Sequence, residues 1–256
     1  MRPSTRGAQA KPLRRALTII ATLIGLWWAL TALVDPPAYV FPPPSAVFNA
    51  FVERWPMLLR NAGITALEIV LGLGVGLVAG VLTALAVAAA PVVRRFVLPI
   101  VIVTQSLPVF AIAPLLVVWL GYGIASKIVM AALIIYFPIA TAYAEAMSRV
   151  PAELIDLARL HGARRRQILW LVRAPAGLPG LVAGLKVAAT VAPIGAVVGE
   201  WVGASAGLGY VMLHANARLQ TDVLFAALVC LSALALLVRF AVDRAVDRLV
   251  PWLAPQ

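Results

Sequence analysis

The chain has 256 residues, of which 63% are hydrophobic and 12% are charged. A soluble domain averages about 45–50% apolar and about 25% charged residues, so this composition excludes an ordinary soluble protein and indicates one membrane domain with several spans. The single cysteine, Cys230, cannot form an intrachain disulfide, and no Cys/His cluster in the sequence indicates a metal site.

Six apolar stretches predict membrane-crossing helices, since a spanning helix needs roughly 20 apolar residues. They lie at residues 16–34, 64–90, 96–120, 128–146, 178–198 and 223–238. The sequence therefore predicts an all-α integral membrane protein, with tails at 1–15 and 249–256 around a six-helix domain at 16–248. A cleaved signal peptide is the alternative for the first stretch, but its apolar core would be about 7–15 residues, which is shorter.

Basic residues are distributed unequally between the two sides of this arrangement. With the N-terminus inside, 16 Lys and Arg residues fall on the inner side and 4 on the outer side, while Lys186 lies within the fifth span. The positive-inside rule then places both termini and residues 150–175 in the cytoplasm. The net charge of +11 is explained by this topology, so nucleic-acid binding is not needed to account for it.

Two outer segments predict short helices. In residues 36–56, Ser45 is placed to cap a helix whose apolar positions suit the membrane interface. Residues 203–222 are glycine-rich and then mildly helical, which predicts a re-entrant helix or a helix on the outer surface.

Polar and small residues interrupt the second and third spans. Glu68, near the outer end of the second span, reaches the interface in one interpretation and has a function in the other. The same span carries a glycine every fourth residue, which favours close helix packing inside the subunit over a dimer contact. In the third span, Gln105 and Pro108 break the helix near its middle, either as part of a substrate pathway or as a structural kink.

The fifth span raises two similar alternatives. Lys186 either extends its ammonium group to the cytoplasmic interface or lies in a pathway, and the first is our expectation. Glu200 and Trp201, at the outer end, either shape an outer gate or anchor the helix.

The basic segment 150–175 predicts a helix–turn–helix beneath the membrane. Pro151 suits the first position of a helix, and Gly162 suits a left-handed residue that ends it. A second helix is expected over 164–173. A basic loop on anionic lipid headgroups is one interpretation, but the ordered Gly and Pro positions favour a docking element with an apolar face.

This segment resembles the EAA loop of the permease subunits of binding-protein-dependent ABC importers. That signature reads E-A-A, three residues, G, nine residues, I, one residue, L-P. The residues that match it by spacing are Asp156, Leu157, Ala158, Gly162, Val172 and Pro175. Asp replaces Glu, Leu replaces the first Ala, Val replaces Ile, and Ala174 replaces Leu. The stretches "FPPPSAVFNAF" and "GEWVGASAGLGYVMLHANARLQTD" resemble the branch that imports sulfonates, taurine, nitrate and pyrimidine precursors of thiamine.

The resemblance implies the type I ABC importer permease fold in a bacterial plasma membrane. It implies a homodimer, an ATPase subunit that contacts the six EAA-loop positions, and an extracytoplasmic solute-binding protein. This chain lacks a G-x-x-x-x-G-K-[ST] loop, so we expect it to be no enzyme and to bind no cofactor, with ATP and Mg²⁺ on the ATPase subunit. The alternatives are a channel or secondary transporter, or an intramembrane enzyme.

Overall fold

The computed structural model describes residues 6–250 and Trp252, and all regular elements within them are helices. In chain order these are α1 Arg6–Val34, α2 Pro44–Glu53, α3 Trp55–Ala89, α4 Pro91–Ser106, α5 Val109–Leu120, α6 Ile124–Ser148, α7 Ala152–Leu160, α8 Arg165–Ile168, α9 Ala174–Gly203, α10 Leu208–Ala217 and α11 Thr221–Leu249. A π-helical turn, Leu169–Arg173, joins α8 to α9. The all-α prediction is therefore confirmed.

Four helices are each long and apolar enough to cross a membrane, by length and composition: α3, α6, α11 and the continuous helix Arg165–Gly203. They correspond to the second, fourth, sixth and fifth predicted spans, in that order, and α3 ends one residue before the predicted end of the second. The first predicted span corresponds to a shorter apolar stretch, Thr18–Val34, within α1. The backbone of α1 is helical from Arg6 onward, inside the segment predicted as the tail 1–15, whose first five residues lie outside the described part.

The third predicted span, 96–120, is two helices and not one. α4 ends at Ser106 and α5 begins at Val109, because Leu107 and Pro108 both have extended backbone. A residue before proline avoids the helical region, which explains the conformation of Leu107. At 1.5 Å per residue, α4 extends about 24 Å and α5 about 18 Å, so each is shorter than the roughly 30 Å hydrocarbon layer. The predicted break at Pro108 is confirmed, and it divides the third span into two helices.

The centre of the molecule is α6, which packs against α3 on one side and α9 on the other. The approach of α3 is close because glycines face α6 at every fourth position: Gly72, Gly76 and Gly80. A Cβ atom added at Gly76 would lie 2.7 Å from Cγ2 of Ile135. On the other side, a Cβ at Gly195 of α9 would lie 2.7 Å from Cα of Ala131. The prediction that the glycine stripe packs within the subunit is confirmed.

The two segments that the sequence predicts on the outer side form short helices, α2 and α10, and both pack against α11. Ser45 is not the cap of α2: the helix begins at Pro44, with Pro43 as the residue before it and no side-chain cap. Proline suits the first helical position because the amide hydrogen that it lacks would have no partner there. The indole of Trp27 donates to the carbonyl of Pro42 at 3.1 Å, and this bond joins α1 to the segment before α2.

Candidate functional site

The segment that resembles an EAA loop contains one short helix, α7, and the start of a second. α7 begins at Ala152, with Pro151 just before it and not inside it as the sequence predicted. Asp156, Leu157 and Ala158 lie in its middle, and Asp156 forms an ion pair with Arg159 at 2.9 Å. Because both partners are largely exposed, this pair contributes little to stability.

Gly162 ends this first helix by the geometry that the sequence predicted. Its φ is +77°, in the left-handed region that favours glycine. The amide of Gly162 donates to the carbonyl of Arg159 at 2.8 Å, and the amide of Ala163 donates to the carbonyl of Ala158 at 3.0 Å. This pair of bonds is the Schellman motif, which satisfies the last carbonyls of a helix and reverses the chain.

The apolar side of α7 has no partner within the described chain. Leu154, Leu157 and Leu160 are 49%, 52% and 85% exposed, and no residue of α7 is buried. The same helix carries Glu153 in its first turn and Arg159 in its last, as the helix dipole favours. Its ends are thus well formed, while its leucines remain available for contact with another protein.

The second part of the loop does not end at residue 173 but continues into the fifth span. Pro175 lacks an amide hydrogen, and its ring would crowd the carbonyl four residues earlier in a regular α-helix. The π-helical turn relieves this conflict, since its hydrogen bonds reach one residue further back: the amide of Ala174 donates to the carbonyl of Leu169. Val172 lies in this turn and is half-buried, whereas Pro175 is exposed in the first turn of α9.

The segment that joins the loop to α9, residues 169–174, is bound to α3 and α6. The hydroxyl of Tyr143 on α6 donates to the carbonyl of Ala174 at 3.2 Å, and the guanidinium of Arg173 donates to the carbonyl of Ala88 on α3 at 3.2 Å. Leu169 is buried in a cluster with Tyr143 and its neighbours. These contacts join the end of the loop, at residues 169–174, to α3 and α6.

In the described part of the chain, no contact joins the pathway residues predicted in the third span to those predicted in the fifth. Pro108 is exposed at the break between α4 and α5. Gln105 belongs to α4, and its side chain lies outside the described part of the chain. Trp201 is half-exposed at the outer end of α9. A role for these three residues in translocation remains a prediction.

Glu200 has a well-defined environment at the outer end of α9, where it is 1% exposed. Its carboxylate accepts the hydroxyl hydrogen of Thr65 at 2.6 Å and the backbone amides of Gly209 and Tyr210. These amides belong to the first turn of α10, whose amide groups have no partner inside the helix. Glu200 therefore anchors α10, and the negative charge suits the positive end of the helix dipole.

Two side chains of α3 complete the capping of α10. The amide of Gly207 donates to Oδ1 of Asn61 at 2.7 Å, and the amide of Leu208 donates to Oγ1 of Thr65 at 2.8 Å. Gly207 has a φ of +114°, and a Cβ there would collide with the carboxylate of Glu200. Glycine at this position is therefore required both by the backbone and by space.

Two charged residues beside this cap, Glu68 and Lys127, are buried. Glu68 does not reach the interface: it is 2% exposed, and its carboxyl group contacts that of Glu200. Lys127 is 5% exposed, and its ammonium group donates to the carbonyls of Tyr122 at 2.9 Å and of Gly203 at 3.1 Å. We call Asn61, Thr65, Glu68, Lys127 and Glu200 the outer polar cluster. Its only signals in the sequence were Glu68, within the second predicted span, and Glu200, just beyond the fifth.

Lys186 lies apart from the outer polar cluster. It is on α9, like Glu200, but nearer the other end of that helix. Its ammonium group pairs with Asp243 of α11 at 3.4 Å, and Arg239 also binds Asp243, at 2.9 Å. Arg239 donates further to the carbonyl of Lys186 at 2.8 Å. An ion pair between α9 and α11, which the sequence did not predict, thus holds this residue.

The two sites lie at opposite ends of α9. From Ala174 to Glu200 the helix rises about 39 Å at 1.5 Å per residue, which is enough to cross a bilayer. Within the residues that the structure describes, no group of three or more His, Cys, Asp or Glu side chains is arranged to hold a metal ion. The exposed helix α7 thus lies toward one end of α9, and the buried cap of α10 lies at the other.

Comparison with known proteins agrees with this arrangement. The family described as "Binding-protein-dependent transport system inner membrane component" matches residues 76–254. A probable ABC transporter permease of Haemophilus influenzae is 44% identical over 238 residues, which are 93% of this chain and 97% of that protein. The formylaminopyrimidine transport permease ThiX of Halalkalibacterium halodurans is 30% identical over 92% of this chain and 94% of its own.

A solved structure shows the same fold. A chain of the MetNI methionine ABC transporter, in an inward-facing conformation, superposes with a TM-score of 0.66 and 26% identity, covering 77% of this chain and 97% of that one. The match confirms the type I importer permease fold. The chain belongs to the family of inner-membrane components of binding-protein-dependent transport systems, and it is a permease subunit of an ABC importer.

Proposed function

We propose that this permease docks on a separate ATPase subunit through α7 and the Gly162 turn. The observation that carries the proposal is the row of exposed leucines on α7, at 154, 157 and 160, which no described residue covers. A helix of nine residues cannot bury such a face alone, so its stability in the cell depends on a partner. ATP and Mg²⁺ belong to that partner, and this chain performs no hydrolysis.

The proposal includes a second copy of the permease and an extracytoplasmic solute-binding protein. Both are supported by membership of a binding-protein-dependent transport family and by the likeness to MetNI. Both termini and α7 face the cytoplasm, as the distribution of basic residues favours. ATP binding by the partner would move α7, and residues 173 and 174, which bind α3 and α6, would carry that movement to the spans.

For the solute we propose a small pyrimidine precursor of thiamine, with sulfonates, taurine and nitrate as the other members of the same branch. The support is the 30% identity to the formylaminopyrimidine permease ThiX over nearly the whole of both chains. Uptake of labelled formylaminopyrimidine by cells with the complete transporter should be inhibited by unlabelled compound and not by taurine. Uptake of labelled taurine, without uptake of labelled formylaminopyrimidine, would assign the sulfonate branch instead.

Copurification tests the docking role. Leu157→Asp should abolish recovery of the coexpressed ATPase subunit, since it places a charge in an apolar interface, while leaving the chain folded because this side chain is exposed. Leu219→Asp is the matched control: Leu219 is 65% exposed, has a left-handed backbone that Asp tolerates, and lies on the predicted outer side. Normal ATPase recovery with Leu157→Asp would contradict the proposal.

Gly162 gives a second test that depends on the backbone. Gly162→Val should impair ATP hydrolysis stimulated by the binding protein, because a branched residue resists the left-handed conformation at a cost of roughly 1–2 kcal/mol. Gly162→Asn should retain more activity, since Asn tolerates that conformation and no atom lies within 4 Å of an added Cβ. Transport by the permease without any ATPase would support a channel or secondary transporter.

A further inference from the structure

A cavity of about 580 Å³ opens between the inner ends of the spans and the docking loop. Its walls come from the last turns of α3 and α6, from α4, and from the helices α7 and α8 with the π-helical turn. The docking face of α7 is a separate surface, since none of Leu154, Leu157 and Leu160 lines the cavity. Nothing in the proposed docking role accounts for this space.

The lining of the cavity carries an excess of positive charge. Four arginines line it, Arg94, Arg159, Arg165 and Arg173, against the single carboxylate of Glu145. Glu145 is already bound by Arg149 at 2.5 Å, and Arg159 is paired with Asp156. Within the described part of the chain, no carboxylate lies within ion-pair distance of the other three lining arginines.

Arg173 is the most enclosed of these arginines. One terminal nitrogen donates to the carbonyl of Ala88, while Nε is buried and has no hydrogen-bond partner among the described residues. A buried guanidinium nitrogen without an acceptor costs free energy, and an anionic oxygen in the cavity would satisfy it. The geometry thus favours an anion beside Arg173.

The deeper walls of the cavity are mainly apolar and extend into the layer of the spans. Thr83 lies six residues before the end of α3, and Ala140 lies eight before the end of α6, which is about 9 Å and about 12 Å inside the helix ends at 1.5 Å per residue. Val87 and Leu169 line the same region. A free phosphate would leave this apolar surface uncovered.

We propose that the cavity binds an anionic phospholipid of the cytoplasmic leaflet. The phosphate lies among Arg94, Arg165 and Arg173, where charge-assisted hydrogen bonds favour phosphate oxygens, and part of an acyl chain covers the apolar walls. Basic pockets between transmembrane helices on the cytoplasmic side are typical binding sites for anionic lipid headgroups. The lipid then lies between α4 and the docking loop, and it supports the loop from the membrane side.

Native mass spectrometry of the full chain in detergent tests the site. Phosphatidylglycerol and phosphatidylcholine with the same acyl chains are titrated in parallel, and phosphatidylglycerol should bind more tightly. The double variant Arg94→Gln/Arg165→Gln should weaken phosphatidylglycerol binding at least about tenfold, since each lost charge-assisted bond is worth about that much. Both side chains are exposed, so the fold should be retained.

The matched control is Arg95→Gln/Arg166→Gln, which removes the same charge from the neighbouring exposed positions outside the cavity. This variant should bind phosphatidylglycerol as the unaltered chain does. An equal loss in both double variants would show attraction to a basic surface and would overturn the site. Equal binding of the two lipids would also overturn the site. Displacement of phosphatidylglycerol by inorganic phosphate would overturn the lipid proposal and identify a site for free phosphate.

Discussion

Thr65 and Glu200 lie 135 residues apart in the chain and form a buried hydrogen bond of 2.6 Å between hydroxyl and carboxylate. The same Thr65 oxygen accepts the amide of Leu208 at 2.8 Å, so one hydroxyl joins α3, α9 and α10. The position of α10 therefore depends on side chains of two spans and not on its own sequence. Single substitutions in the outer polar cluster therefore test which side chains hold α10 in place.

Thr65→Val keeps the shape of this side chain and removes both hydrogen bonds. It should lower the free energy of unfolding by about 1–3 kcal/mol, because the amide of Leu208 and the carboxylate of Glu200 each lose a buried partner. Unfolding in denaturant in a fixed detergent measures the change. Thr141→Val is the control: Thr141 donates only within its own helix, to Phe137, so its loss should have little effect. Equal losses would mean that Thr65 does not hold α10.

The two buried glutamates should respond differently to the same substitution. The carboxyl group of Glu68 contacts that of Glu200, so a Gln side chain at position 68 presents an amide donor to Glu200. Glu200 already receives donors from Thr65, Gly209 and Tyr210. With its amide donor, Glu68→Gln should fold normally, whereas Glu200→Gln presents an amide to several donors and should lose at least about 2 kcal/mol.

Proteolysis reads out this difference locally. Loosening of α10 exposes the preceding segment 204–207, so Glu200→Gln should be cleaved faster there than Glu68→Gln or the unaltered chain. Similar cleavage of the two variants would place the structural requirement on the pair as a whole and contradict the assigned roles.

Gly76 and Gly74 of α3 provide a test of helix packing. Gly76→Ala should destabilise the chain by about 1–3 kcal/mol, because its Cβ would press on Ile135 and close packing leaves no room for it. Gly74→Ala, two residues away, meets no atom within 4 Å and should be neutral or stabilising by up to about 1 kcal/mol. Thermal unfolding of both variants in the same detergent measures their stability. A larger loss for Gly74→Ala than for Gly76→Ala would refute the α3–α6 contact.

The sequence predicts those features of this fold that depend on neighbouring residues. The turn at Gly162 and the break at Pro108 follow from backbone preferences of one or two residues, and the structure shows both. Glu68 and Lys127 could not be placed in this way. Their partners are distant in the chain, and a charged residue near the end of a predicted span suits the interface equally well. The π-helical turn before Pro175 was also missed, because the proline suggested a boundary.

Labelling of single cysteines tests the orientation on which the docking and lipid proposals both depend. In a chain with Cys230→Ala, the variant Arg166→Cys should resist a membrane-impermeant thiol reagent in intact cells and react after lysis. Ser205→Cys, between α9 and α10, should react in intact cells, since the residue is exposed on the predicted outer side. The excess of 16 inner over 4 outer basic residues is the reason for this expectation. Labelling of Arg166→Cys in intact cells would place α7 outside, where no ATPase could reach it.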